Sequence, residues 1–232
     1  DRRREADRGS ALAGKSTLNR LELRSDEAQK DGRYKKIAID VVKVDELFVK
    51  IFLQAHDRAP ELLIFDLDAT DVPLPGRQEG RFFHGFYDCY CYLPLYIFCG
   101  EHLLVAKLRR SNIDASAGAV EEVERVVGQI RARWSEVRII LRADSGFCRE
   151  ALMSWCEANG VHYVFGLARN ARLVRAIGAE LHAVAAESAA THKPARQFKE
   201  LAYRTHKSWS RARRVVGKAE HGARARWPAF NR

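Results

Sequence analysis

Sulfur is scarce in this chain: its 232 residues include one methionine and five cysteines. An odd cysteine count without disulfide-framework spacing excludes a stapled secreted scaffold and points to a reducing cytoplasm. No Cys-x-x-Cys pair occurs. Cys89, Cys91 and Cys99 lie near His84 and His102, and Cys89 and Cys91 would share one strand face, which raises zinc as an alternative. The surrounding sequence is strand-like and aromatic, however, and reads as a place for buried free cysteines. No apolar run approaches the roughly 18 residues that a membrane span needs, so no membrane partner is expected. No secretory leader opens the chain; it starts DRRREADR, without a methionine, which reads as a boundary or a fragment. Internal repeats and low-complexity tracts are also lacking.

Hydrophobic residues make up 47% of the chain and charged residues 30%. That profile fits a globular protein with one sizeable core and an appendage. Lys and Arg total 40 against 30 Asp and Glu, a formal charge of +10. Most of the excess sits between Arg204 and Arg232, where nine basic residues accompany a single acid, Glu220. A clustered positive field attracts polyanions and favours nucleic acid, with a merely solvated basic tail as the bland reading.

The hydrophobic pattern outlines an α/β chain. Residues 1–33 are polar and show little periodicity. From Tyr34 to Gln54, Ile37, Val41, Val44, Leu47, Phe48, Ile51 and Phe52 recur at helical spacing. Leu62 to Leu67 reads as a buried strand and Asp71 to Gly80 as a Pro/Gly loop. Arg81 to Arg109, rich in aromatic and β-branched residues, predicts one antiparallel hairpin split at Gly100 to His102, with a bulge or bend at Pro94. Ser116 to Trp134 predicts an amphipathic helix capped by Asp114 or Ser116, and Val137 to Leu141 a strand. Arg149 to Asn159 reads as a helix ended by Gly160, Tyr163 to Leu167 as a strand, and Arg172 to Ala190 as a helix. Three antiparallel strands followed by strands alternating with helices are the order of a ribonuclease-H-like mixed sheet.

Three motifs carry chemistry. GSALAGKS, Gly9 to Ser16, fits the phosphate-loop letters G-x-x-x-x-G-K-S/T, but no buried strand precedes it, so it reads as a polar connection. LLIFDLDAT, Leu62 to Thr70, ends a strand with Asp66 and Asp68 on one face. Its D-x-D-x-T letters also suit a haloacid-dehalogenase-like phosphatase, with Asp66 as nucleophile, Asp68 as acid/base and Thr70 as phosphate contact. The aromatic hairpin that follows argues against that fold. IILRADSGF, Ile139 to Phe147, again places a carboxylate, Asp144, at a strand end. If the first and fourth strands are neighbours, Asp68 and Asp144 meet at one edge of the core. Facing carboxylates repel unless a cation sits between them, so the pair implies divalent metal. The bland alternative is that Asp144 caps the helix that follows.

With these motifs the chain resembles the DDE transposases of bacterial insertion sequences, of the group reading D-x-D-x-T, G-x-Q-x-G, an aromatic hairpin and L-R-x-D-S-G-F. The matching stretches are DLDATD (Asp66 to Asp71), GRQEG (Gly76 to Gly80), Phe82 to Gly100, KLRRSN (Lys107 to Asn112), LRADSGF (Leu141 to Phe147) and YVFGLARNARL (Tyr163 to Leu173). AGKSTLNRLE and SWSRARRVVGKAEH extend the likeness to nearly the whole chain. The resemblance implies a metal-dependent catalytic core that cleaves and rejoins strands at insertion-sequence ends. Asp68 and Asp144 would be its first two carboxylates, with Asp66 as the rival for first place and a further metal ligand. It implies Mg²⁺ or Mn²⁺ as cofactor, double-stranded DNA as partner, a homodimer in a synaptic complex, and a cytoplasmic, nucleoid-associated location. Phosphate contacts would come from Arg142, Lys207, Arg211, Arg213, Arg214 and Lys218. A third carboxylate would lie beyond Arg232, because Glu220 does not match the family's glutamate, which leaves the activity of the polypeptide itself open. Residues 1–57 would form a partial DNA-binding and packing region, and residues 58–232 the core, incomplete at its C-terminus. The alternatives are a non-catalytic DNA-binding remnant and the phosphatase built on Asp66.

Overall fold

The computed structural model describes residues 40–222. The phosphate-loop letters at Gly9 to Ser16 therefore lie outside the described residues. Helix α1, Val41–Gln54, starts where the Asp40 side chain accepts the Lys43 N–H at 3.2 Å. Its buried face differs from the expected one. Val49 and Phe52 enter the core, whereas Val41, Val44, Leu47 and Ile51 stay exposed. Asp45 lies on the buried side, where Lys107 reaches it at 2.9 Å.

Strand β1, Leu62–Ala69, alternates cleanly: Leu63, Phe65, Leu67 and Ala69 are buried, and Leu62, Ile64, Asp66 and Asp68 occupy the opposite face. The chain then builds two sheets where one hairpin was expected. Strands β2 (Val72–Pro73), β3 (Phe82–His84) and β4 (Cys89–Tyr92) pair antiparallel in a small sheet ordered β2-β4-β3. Strands β5 (Leu95–Cys99) and β6 (His102–Lys107) form a separate hairpin in the main sheet, turning at Gly100 with φ +58°. Pro94 is the divide: it has no N–H to offer a ladder, so the chain leaves one sheet and enters the other there. The bulge itself falls at Ile97 and Phe98.

Helix α2, Ala119–Arg133, follows; its cap is Gly118 in the left-handed region, not the expected Asp114 or Ser116. Asp114 instead accepts from Ser116 and from Arg149. Strand β7 is Arg138–Ala143, followed by a short 3-10 turn at Ser145–Phe147. Helix α3 covers Glu150–Ala158, and β8 is His162–Phe165. The five-stranded sheet has the order β6-β5-β1-β7-β8, with β5 and β6 antiparallel and β7 and β8 parallel to the central β1. This is the ribonuclease-H-like mixed α/β sheet. Side chains of α1, α2 and α3 join the buried strand residues in a single core.

The expected helix from Arg172 to Ala190 is two helices, α4 (Ala171–Ala176) and α5 (Gly178–Thr191), parted at Ile177. Helix α5 packs on a long hairpin of β9 (Ala195–Tyr203) and β10 (Arg213–His221) around Val184, Ala195 and Ala219. No helix among the described residues is long and apolar enough to cross a membrane.

Candidate catalytic acid pair

Strand register places the two aspartates. The parallel ladder of β1 and β7 pairs Phe65 with Leu141, Asp66 with Arg142 and Leu67 with Ala143. One step further on, Asp68 and Asp144 leave adjacent strands at the same level. Neighbouring strands lie about 4.8 Å apart, and registered residues point to the same face. Both residues are exposed, on the face that α1 to α3 do not cover. Asp68 and Asp144 thus follow registered residues of neighbouring parallel strands.

The pair is electrostatically uncomfortable. The Asp68 carboxyl titrates above its ordinary range, first because the surrounding protein strips it of water and also because Asp144 lies nearby; a backbone hydrogen bond at Ala69 pulls the other way. Asp144 accepts the Gly146 N–H at 2.8 Å and caps the 3-10 turn. The bland reading of Asp144 is thus met in the structure: the cap occupies Oδ1. Above the pair stands Tyr87, whose hydroxyl donates to the Ala69 carbonyl at 3.2 Å. Its phenol is pushed up by burial and by the negative charges of Asp71, Asp68 and Asp144. The pattern of the sequence did not single out Tyr87.

Asp66 is arranged differently. Arg142, opposite it in the ladder, donates from Nε at 2.5 Å and from Nη2 at 2.8 Å to its two oxygens. That fork occupies the carboxylate that competed with Asp68 for first place, and also the guanidinium expected to face phosphate.

The basic stretch is dismantled by folding. Arg213 is buried and does not reach the surface where phosphate contact was expected. Its guanidinium donates to Glu157 at 2.7 and 3.0 Å, to Glu150 at 2.8 and 3.1 Å and to Ser154 at 3.3 Å, beside the Trp209 ring. Burying a guanidinium requires such complete pairing, which explains why this residue binds within the fold. Arg211 also pairs with Glu157, Arg214 with Glu200, and Lys218 with Glu220 at 2.5 Å. Lys207 is exposed in the connection between β9 and β10. The acids on α3 that receive Arg213 were the missed signal: Glu150 and Glu157 are seven residues apart, hence on one helix face.

Two carboxylates on one face are hard oxygen donors, the donor type that suits Mg²⁺ or Mn²⁺. Among the described residues, no group of three or more His, Cys, Asp or Glu is arranged to hold a metal ion. Cys89 and Cys91 sit together in the small sheet, where burial and the neighbouring Cys91 push the Cys89 thiol up. The phosphatase reading fails on topology: antiparallel β5 and β6, not helical crossovers to parallel strands, follow the D-x-D-x-T strand.

Residues 2–230 match the family described as transposase DDE domain group 1. Among solved structures, the catalytic domain of Mos1 mariner transposase is similar at 11% identity and a TM-score of 0.35, over 67% of this chain and 74% of that one. The Mos1 mariner paired-end complex with Mn is similar at 13% identity and a TM-score of 0.32, over 68% and 52%. The Mos1 strand transfer complex is similar at 13% and 0.30, over 67% and 52%, so the chain spans about half the length of the transposase in those complexes. No curated protein matches significantly. A family match that runs almost from end to end, on a ribonuclease-H-like sheet with its acids at the predicted strand ends, places this chain in the transposase DDE domain group 1 family, as a DNA transposase catalytic domain.

Proposed function

We propose that this domain cleaves and rejoins DNA strands at the ends of an insertion sequence, with Asp68 and Asp144 as two of its metal-binding carboxylates. DDE transposases use divalent metals. The observation that supports the reading is the β1–β7 register, which ends at Leu67 and Ala143, the residues immediately before the exposed Asp68 and Asp144. Mg²⁺ or Mn²⁺ held there would supply Lewis-acid stabilisation for in-line attack on a phosphodiester. The chain's own residues do the positioning. The Gly146 N–H fixes one Asp144 oxygen and leaves the other free. Tyr87 closes the upper side through the Ala69 carbonyl. Arg142 neutralises Asp66, so a third negative charge does not accumulate beside the pair. Asp66 acts through that pairing and binds metal only if Arg142 swings away to a phosphate. A third carboxylate is supplied from outside the described residues.

Double-stranded DNA is the proposed partner, in a synaptic homodimer, at a cytoplasmic, nucleoid-associated location. Lys207, Arg211, Arg214 and Lys218 are the proposed phosphate contacts, without Arg213. Residues 58–232 form the proposed catalytic core, incomplete at its C-terminus, and residues 1–57 a partial DNA-binding and packing region whose helix α1 packs into that core.

Manganese titration followed by electron paramagnetic resonance tests the assignment. Asp68→Ala and Asp144→Ala should each abolish the tight site. If both variants bind Mn²⁺ as the wild type does, the acid pair is not the metal centre. Metal binding without nicking of any supercoiled DNA would favour the non-catalytic remnant instead.

A further inference from the structure

The hairpin of β3 and β4 carries a surface that the acid pair does not use. Phe86, at its tip, is 84% exposed, the most open of the large apolar residues among those described. Phe83 and Tyr90 are opposite each other in the ladder, each 52% exposed, with ring centroids 5.6 Å apart. The Arg81 guanidinium stands 4.5 Å from the Tyr90 ring. Single exposed apolar residues are ordinary, but a group of aromatic rings with an arginine on one small sheet marks a binding surface.

The position of this surface gives it meaning. The hairpin turn is tight: Asp88 adopts φ +52° and its N–H donates to the His84 carbonyl at 2.9 Å. Within that turn the Phe86 ring lies edge-on to Tyr87, with centroids 5.0 Å apart. Tyr87 in turn is bonded to Ala69, the residue after Asp68. The open ring is thus held at the rim of the acid pair by a chain of two contacts.

A DNA strand lying across the acid pair for cleavage would pass this rim. Every base has a π face, and aromatic rings interleaved with arginine are the features on which unpaired bases stack. We propose that Phe86, backed by Tyr87, is a stacking post for an unpaired base next to the phosphodiester to be cleaved, and that Phe83, Tyr90 and Arg81 receive the following base. The proposal rests on the DNA-processing reading above. It adds that the strand is locally unpaired when it is bound.

Fluorescence anisotropy of labelled oligothymidylate and of a duplex of equal length, measured with the full chain in EDTA, tests this without reference to metal. Phe86→Ala should weaken oligothymidylate binding about tenfold and leave the duplex unchanged, and Phe86→Trp should restore it. Equal affinity of wild type and Phe86→Ala for oligothymidylate would overturn the proposal. Loss of both ligands to the same extent would also overturn it, because the ring would then serve DNA binding in general. So would a shift of sedimentation to a smaller species with oligothymidylate binding intact, which would identify the patch as a contact between copies. Since chelator is present throughout, failure of the metal assignment leaves this contrast readable.

Discussion

Gly166 stands against the backbone of Asp144. A Cβ added at residue 166 would lie 2.9 Å from the Ser145 nitrogen and 3.1 Å from the Asp144 carbonyl carbon, while the Gly166 N–H donates to the Ala143 carbonyl at 2.9 Å. Backbone atoms cannot yield as a flexible side-chain end can. Gly166→Ala should therefore displace the strand end that carries Asp144. We expect Mn²⁺ affinity to fall about tenfold or more with both carboxylates still present, while circular dichroism stays native. Unchanged affinity in a titration of this variant would show that the Asp144 placement tolerates a shift.

Asp68 gives a pH signature. Its folded carboxyl is raised, so it favours folding below its ordinary value of 3.8, and that contribution disappears as pH rises through the folded value. At neutral pH the metal-free domain thus carries an unfavourable charge. Asp68→Asn should raise the Tm of the metal-free protein by of order 1 °C, a small shift because solvent reaches the residue. Metal affinity should weaken at a higher pH on acidification than an ordinary aspartate would produce. Scanning calorimetry in chelator and Mn²⁺ titrations at several pH values measure the two effects. A lower Tm for Asp68→Asn would contradict the first.

Arg213 joins the β9–β10 hairpin to α3. Removing one partner of a buried charge network leaves the others unpaired, so Arg213→Ala should cost about 3 kcal/mol in urea unfolding. Glu157 is held at about 2, chiefly by hydrogen bonding to Arg213, with Tyr163 and Arg211 adding to it. A depressed carboxyl contributes stability above its ordinary value of 4.5 and loses it as pH falls through about 2. Tryptophan fluorescence, with Trp209 beside the network, should therefore report loosening across that interval. A fluorescence signal that stays flat down to pH 2 would show that the network does not hold the hairpin.

The Asp66–Arg142 pair is solvent-exposed on both sides. A double-mutant cycle with Asp66→Ala and Arg142→Ala should give a coupling of about 0.2–1 kcal/mol. Arg142→Ala should also free a carboxylate beside the pair and strengthen Mn²⁺ binding several-fold. Weaker binding would show that Arg142 supports the site in another way.

Local sequence determined much of this. Each aspartate follows a run of apolar residues, and such runs enter a sheet centre, so a carboxylate at the end must sit at the rim. Period-two alternation alone puts Asp66 and Asp68 on one face. The sequence of antiparallel strands followed by strands alternating with helices set the sheet order, because right-handed crossovers leave few alternatives. What the chain's letters could not express were the pairings between distant side chains. Arg142 reads as a phosphate contact until register sets it opposite Asp66. Arg213 reads as one of nine basic residues until Glu150 and Glu157 of α3 close around it. Asp45 reads as a surface acid of α1 until Lys107 reaches it from β6. Hydrophobic periodicity is a local property and survives in the sequence. Charge partnership depends on which surfaces meet, and only the packed chain settles that.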